Sequence, residues 1–180
     1  KDSAASIQQA IREKRDSLSD RVQKAAEIVA ADGPTKHWLI WHHLEDERRE
    51  ICRTIPDAVD VYGSQELEQR EQRIVDFSDG KYRILATKPE IAGSGCNFQE
   101  HCYANIFVGV RYQFEEFIQA IHRTQRFGQR HPVEVHIIHT DAEDQVVEVM
   151  KKKWAQHQRL VANMTEIIRK FGLTNEALGM

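Results

Sequence analysis

No apolar run in this sequence of 180 residues approaches the roughly 18 needed to cross a bilayer, which excludes a helical membrane span. Cysteine is scarce. Cys52, Cys96 and Cys102 form no paired framework, which argues against a disulfide scaffold and for a reducing cytoplasmic setting. A large charge of either sign is missing too: the net charge of −3 gives no overall attraction to polyanions, so any nucleic-acid contact must come from a local patch. Internal repeats and low-complexity tracts are absent. The first residues, Lys1-Asp2-Ser3, carry neither an initiator Met nor the basic-then-apolar layout of a signal peptide, so a piece of a longer protein is expected. What remains, 41% hydrophobic and 29% charged residues, is ordinary for a globular domain able to bury a good core.

The pattern along the chain is that of an α/β domain. From Ser6 to Ala31, Ile7, Ile11, Leu18, Val22 and Val29 recur at helical spacing, and Asp32-Gly33-Pro34 ends the helix. His37 to Trp41 is a short apolar run suited to a buried strand, followed by a charged helix over 45–53. Further strands are predicted at 58–62, 82–87, 106–110 and 133–139, with helices over 64–77 and around Phe114, Phe117, Ile118 and Ile121. Short strands separated by helices imply a mostly parallel sheet flanked by helices on both faces, with long helices at each end of the chain. The last helix, 142–171, sets Val147, Met150, Trp154, His157, Val161, Met164, Ile168 and Phe171 at alternating spacings of four and three, a seam of seven-residue period. Packing on its own domain is the preferred reading, ahead of a dimerising coiled coil. This divides the chain into an N-terminal helical arm (1–33), a central domain (34–141) and a long C-terminal helix (142–180) packing on or extending from it. The run Lys151-Lys152-Lys153 reads as a solvated face.

The chemistry concentrates in Gln119-Ala120-Ile121-His122-Arg123-Thr124-Gln125-Arg126-Phe127-Gly128-Gln129. Arg123 and Arg126, three apart, are expected on one side of one helix. Paired guanidinium groups suit phosphate, because each planar, permanently charged fork can bridge two phosphoryl oxygens. The pattern alone fits two solvated arginines as well.

This string resembles motif VI of superfamily 2 helicases, in the form ending Arg-x-Gly-Gln of the Swi/Snf-type branch. Lys88 to Phe98 is similar to motif V, with Gly93, Gly95 and Asn97 on its Gly-x-Gly-x-Asn core. Trp38 to His42 resembles the motif IV strand, and Gly63, Arg70, Phe77 and Gly80 the spaced residues after it. The likeness covers about 36–140, and its nearest flavour is that of phage and prophage helicase-like proteins. It implies a RecA-like three-layer domain, the C-terminal half of an ATP-dependent helicase or translocase motor. Such a half completes, from across a cleft, a site for ATP and Mg²⁺ gripped by an N-terminal RecA-like domain. By this likeness Arg126 and Arg123 are the arginine fingers, and Gln119, Gly93, Gly95 and Asn97 face the nucleotide. For the two glycines and the Asn, a tight loop explains the residues as well as ligand contact does. Thr87, Lys88 and His42 are implied on the other edge as contacts to a nucleic-acid backbone, DNA ahead of RNA.

No Gly-x-x-x-x-Gly-Lys-Ser/Thr phosphate loop and no Asp-Glu-x-His strand end occur in these residues, so the chain by itself is expected not to hydrolyse ATP. A zinc module built on His42, Cys96, His101 and Cys102 has no suitable ligand spacing, and no metal site is expected. A nuclease lacks its Asp…Glu-x-Lys set. A non-catalytic RecA-like binding module is the remaining alternative.

Overall fold

The five strands β1 (His37–Trp41), β2 (Ala58–Val61), β3 (Ile84–Thr87), β4 (Cys102–Val108) and β5 (Glu134–Ile138) form one sheet in the order β2-β3-β1-β4-β5. Every pairing is parallel, so the carboxyl ends of all strands lie on one edge of the sheet. In this computed structural model the described residues are 15–92, 96–110 and 113–171. The helices are α1 (Leu18–Ala31), α2 (Glu45–Thr54), α3 (Leu67–Ser78), α4 (Phe114–Ile121) and α5 (Asp144–Phe171).

Strand β1 is central and buried on both faces, which explains its unbroken apolar sequence. Alternate residues serve opposite layers. Trp38 and Ile40 pack with Val22, Ala25 and Val29 of α1 and with Ile51 and Ile55 around α2. Leu39 and Trp41 pack with Phe77 of α3, Ala120 and Ile121 of α4, and Phe98 from the β3–β4 connection. Helices on both faces make the three-layer α/β architecture the sequence implied. Trp38 and Trp41 are fully buried, each removing about 200 Å² from water. At ~25 cal/mol per Å² that is roughly 5 kcal/mol apiece, an upper figure because unfolded chains are partly compact.

The helix expected as an N-terminal arm is part of this core from Leu18 on; its first residues, 1–14, lie outside the described set. A buried ion pair anchors it. Arg21 Nη1 donates to Glu47 Oε1 (3.0 Å) and to the Val108 carbonyl (3.0 Å), tying α1 to α2 and β4. Glu47 Oε2 accepts from the His43 and Leu44 amides (2.8 and 2.9 Å), capping the first turn of α2. Burial pushes the Glu47 carboxyl up, but those two amides and Arg21 outweigh it and hold it below the ordinary carboxylate range.

One expectation is corrected and one is made more specific. The fourth strand starts at Cys102 rather than Ile106, because polar Asn105 is accommodated: Trp41 Nε1 donates to its Oδ1 (3.1 Å) and its Nδ2 donates to Thr124 Oγ1 (2.9 Å). The long C-terminal helix packs on the domain only through its first half. Val146, Val147 and Met150 are buried against Val110, Phe114, Phe117 and Ile137, and Trp154 joins the second core layer, but from Gln158 to Lys170 every residue is exposed.

Candidate functional site

Helix α4 runs back from the carboxyl edge of the sheet and ends at Ile121, so Arg123 and Arg126 are not on a helix as the sequence suggested. They lie on a series of turns. The Arg123 and Thr124 amides reach back only three residues, to the Ala120 and Ile121 carbonyls (3.1 and 3.0 Å). The buried Thr124 hydroxyl donates to the Ile121 carbonyl (3.0 Å) while accepting from Asn105, which pins the chain to β4 and stops the helix. Gly128, at φ +90°, then reverses the chain where a side chain would be strained.

These turns meet the segment before β4. The Phe98 amide donates to the Arg123 carbonyl (2.9 Å), and the Arg126 guanidinium donates to the Asn97 side-chain oxygen. Burial pushes the Cys96 thiol up, partly opposed by the nearby Arg123. The Asn97 carbonyl in turn accepts from Ser78 Oγ of α3 (2.7 Å). Arg123, Arg126 and Asn97 are thus brought together at the amino-terminal edge of the sheet, with Arg126 and Asn97 exposed. Gln119 is exposed on α4, and Gly93 and Gly95 lie outside the described residues.

Gln129 organises the site in a way its sequence context did not announce. Its side-chain amide donates to the carbonyls of Gln99 (3.0 Å), Cys102 (3.2 Å) and Thr124 (3.0 Å), and its Oε1 accepts from the His131 amide (2.9 Å). One side chain therefore fastens the arginine turn to the entry of β4. The usable signal was a Gln directly after a Gly, but nothing local shows which carbonyls it meets.

The other three sequence candidates sit on the opposite, carboxyl edge, and two of them are buried. Thr87 is fully buried and donates its hydroxyl to the Val61 carbonyl (3.0 Å), so it presents no group to a ligand. His42 is also fully buried, and neither ring nitrogen has a hydrogen-bond partner among the described residues. Burial, opposed by Glu47 and reinforced by Lys88, lowers its pKa to about 4, so it is a neutral packing residue. Thr87 ends β3 and His42 follows β1, and both strand ends are covered rather than open. Lys88 is partly exposed, its ammonium 3.7 Å from Glu45. Among the described residues no group of three His, Cys, Asp or Glu side chains is placed to hold a metal ion. His42 and Cys102 stand at opposite ends of the sheet, since Cys102 pairs with His37 at the start of β1. No described helix is long and apolar enough to cross a membrane.

No protein-family model matches the sequence, and no curated protein matches it. Solved structures do. The C-terminal domain of the DEAD-box protein Dbp5 superposes with a TM-score of 0.64 at 15% identity, covering 76% of this chain and 79% of that one. The fold is that of the C-terminal RecA-like domain of helicases. The C-terminal part of the Fun30 ATPase domain gives a TM-score of 0.60 at 19% identity over 73% of this chain, which spans only 44% of that structure. Domain 2 of the DEAD-box helicase Mss116p, bound to an RNA duplex, gives 0.62 at 16% identity over 77% of this chain and 56% of that one. The five-strand parallel sheet flanked by helices agrees with this fold. The phage and prophage likeness of the sequence has no counterpart among these three.

Proposed function

We propose that this chain is the second motor domain of an ATP-dependent nucleic-acid helicase or translocase. In this reading Arg126 and Arg123 face the phosphates of an ATP molecule gripped, with its Mg²⁺, by a separate RecA-like domain. The observation that carries it is the junction of the two segments resembling motifs V and VI: Arg126 on Asn97, and the Phe98 amide on the Arg123 carbonyl. An exposed Arg126 and a partly buried Arg123 beside an amide side chain fit phosphate and ribose oxygens. Arg126 is preset by a neutral partner, which a phosphate oxygen outcompetes because both of its partners are then charged. Asn97, released, can turn to a hydroxyl. Lys88 on the opposite edge serves a nucleic-acid backbone, which a motor indifferent to sequence grips through phosphates. The Arg-Phe-Gly-Gln string favours DNA as the track.

The test is an ATPase assay on a protein joining this domain to its ATP-gripping partner, with single- and double-stranded DNA and RNA as activators. Arg126→Ala is expected to lower stimulated turnover by about 10³-fold or more while nucleotide binding persists. Turnover near that of the parent would refute the arginine-finger role and favour a non-catalytic binding module. Stronger activation by RNA would reassign the track.

A further inference from the structure

The second half of α5 carries an apolar face that no described residue covers. Leu160, Val161, Met164, Ile167 and Ile168 are between 47% and 58% exposed, yet Val161, Met164 and Ile168 continue the seam that Val147, Met150 and Trp154 use to pack on the domain. A surface helix with no partner turns such a face into the core or replaces it with polar residues. Here the domain ends before the seam does.

The flanks of that seam say what covers it. Taking Val161 and Ile168 as a and His157 and Met164 as d, the e positions are Gln158 and Thr165 and the g positions Leu160 and Ile167. All four are uncharged. The charged residues of the overhang, Arg159, Glu166, Arg169 and Lys170, fall on b, c and f, away from the seam. Helices that select an unlike partner use charges at e and g; a seam without them meets an identical seam with no like-charge cost. Orientation follows from the domain. A second helix running parallel along the seam would collide with the sheet and α4, which already occupy the Val147 and Met150 face. An antiparallel helix meets the overhang and, at its base, His157, whose ring lies beside Phe114, His122 and Trp154.

We propose that two copies of this chain associate through the α5 overhang as an antiparallel, two-fold symmetric helix pair. With the axis between Ala162 and Asn163, Val161 of each copy layers on Met164 of the other and His157 on Ile168, an a-to-d pairing throughout. Ile168 then sits one turn from Gln158, at the mouth of a groove of about 450 Å³ that includes Ile121, Gln125, Val133 and Trp154. The exposed halves of the five large side chains bury on the order of 450 Å² per copy, against about 800 Å² per partner in a standard interface. The groove rim adds to this without closing the gap. A weak, reversible dimer is therefore expected, one that dissociates within the micromolar range.

Sedimentation velocity of the 180-residue chain across that range tests it. A concentration-dependent monomer–dimer equilibrium is expected, lost in Val161→Glu/Met164→Glu, whose circular dichroism and melting temperature stay those of the parent because both sites are exposed in the monomer. Orientation is read on a Cys52→Ser/Cys96→Ser background: a mixture of Val161→Cys and Met164→Cys chains should cross-link to each other faster than either does to itself. A chain that stays monomeric throughout overturns the proposal and leaves the face for a different protein. So does a dimer that survives the double glutamate substitution, or self-cross-linking of Val161→Cys as the fastest reaction.

Discussion

Replacing Gln129 with Glu changes one NH₂ group to an oxygen at the point where the arginine turn is fastened to β4. The parent amide has two protons and three carbonyl acceptors, those of Gln99, Cys102 and Thr124, all within 3.2 Å. Losing both donors removes about two hydrogen bonds, roughly 2 kcal/mol. The introduced carboxylate also sets an anion against three carbonyl oxygens in a half-buried place, adding on the order of 1–2 kcal/mol. The bond from the His131 amide is kept. A total of about 3–4 kcal/mol should lower the melting temperature of a chain this size by roughly 10 °C at neutral pH. The effect carries its own pH signature. Repulsion raises the folded-state pKa of the new carboxyl above its unfolded value near ~4.3, so the anionic part of the penalty is full above the folded pKa and vanishes below the unfolded one. A shift of about one unit places the change between roughly pH 6 and pH 4. Melting curves of parent, Gln129→Glu and Gln129→Ala over that window decide it. The gap between parent and Glu should narrow on acidification, while that for Ala, which loses the donors but gains no charge, stays constant. A Glu variant within about 1 kcal/mol of the parent at pH 7, or a gap that does not close, would refute the staple role.

Two further substitutions probe the frame around the site. Arg21→Met leaves the Glu47 carboxylate buried without its cation and should cost about 3–5 kcal/mol in chemical denaturation; a loss under 1 kcal/mol would mean that the pair is not buried as described. His42→Leu should flatten the acid side of the stability profile. The parent ring has a folded pKa of about 4 against 6.5 unfolded, so the unfolded chain binds more protons between those values and stability falls as pH drops through them, by up to about 3 kcal/mol. Denaturation midpoints at pH 7 and pH 4.5 test this, and an unchanged acid slope in His42→Leu would contradict it.

Much of the fold was readable because its signals are local. The apolar run His37–Trp41 states a doubly buried strand, and Asp32-Gly33-Pro34 states the end of a helix. Of the candidate site residues picked out by motif order, Asn97, Arg123 and Arg126 share one edge of the sheet. Misplacement arose where a long-range contact overrides a local pattern. The helix was expected to run through Thr124, whose hydroxyl instead meets Asn105, and the fourth strand was expected to start only after Asn105, which Trp41 and Thr124 satisfy inside it. His42 and Thr87 looked like available polar groups at strand ends, but whether a strand end is open depends on the elements that cover it.

The sequence by itself determined the alternation of strands and helices, the arginine pair, the seven-residue seam and the absence of a phosphate loop, because each is written in residue type and spacing. Only the tertiary structure decided which polar groups meet across the chain. It closed the carboxyl edge over His42 and Thr87, placed Gln129 against three carbonyls, and ended the domain halfway along α5. Those outcomes depend on distances between residues remote in sequence, and no local pattern carries that information.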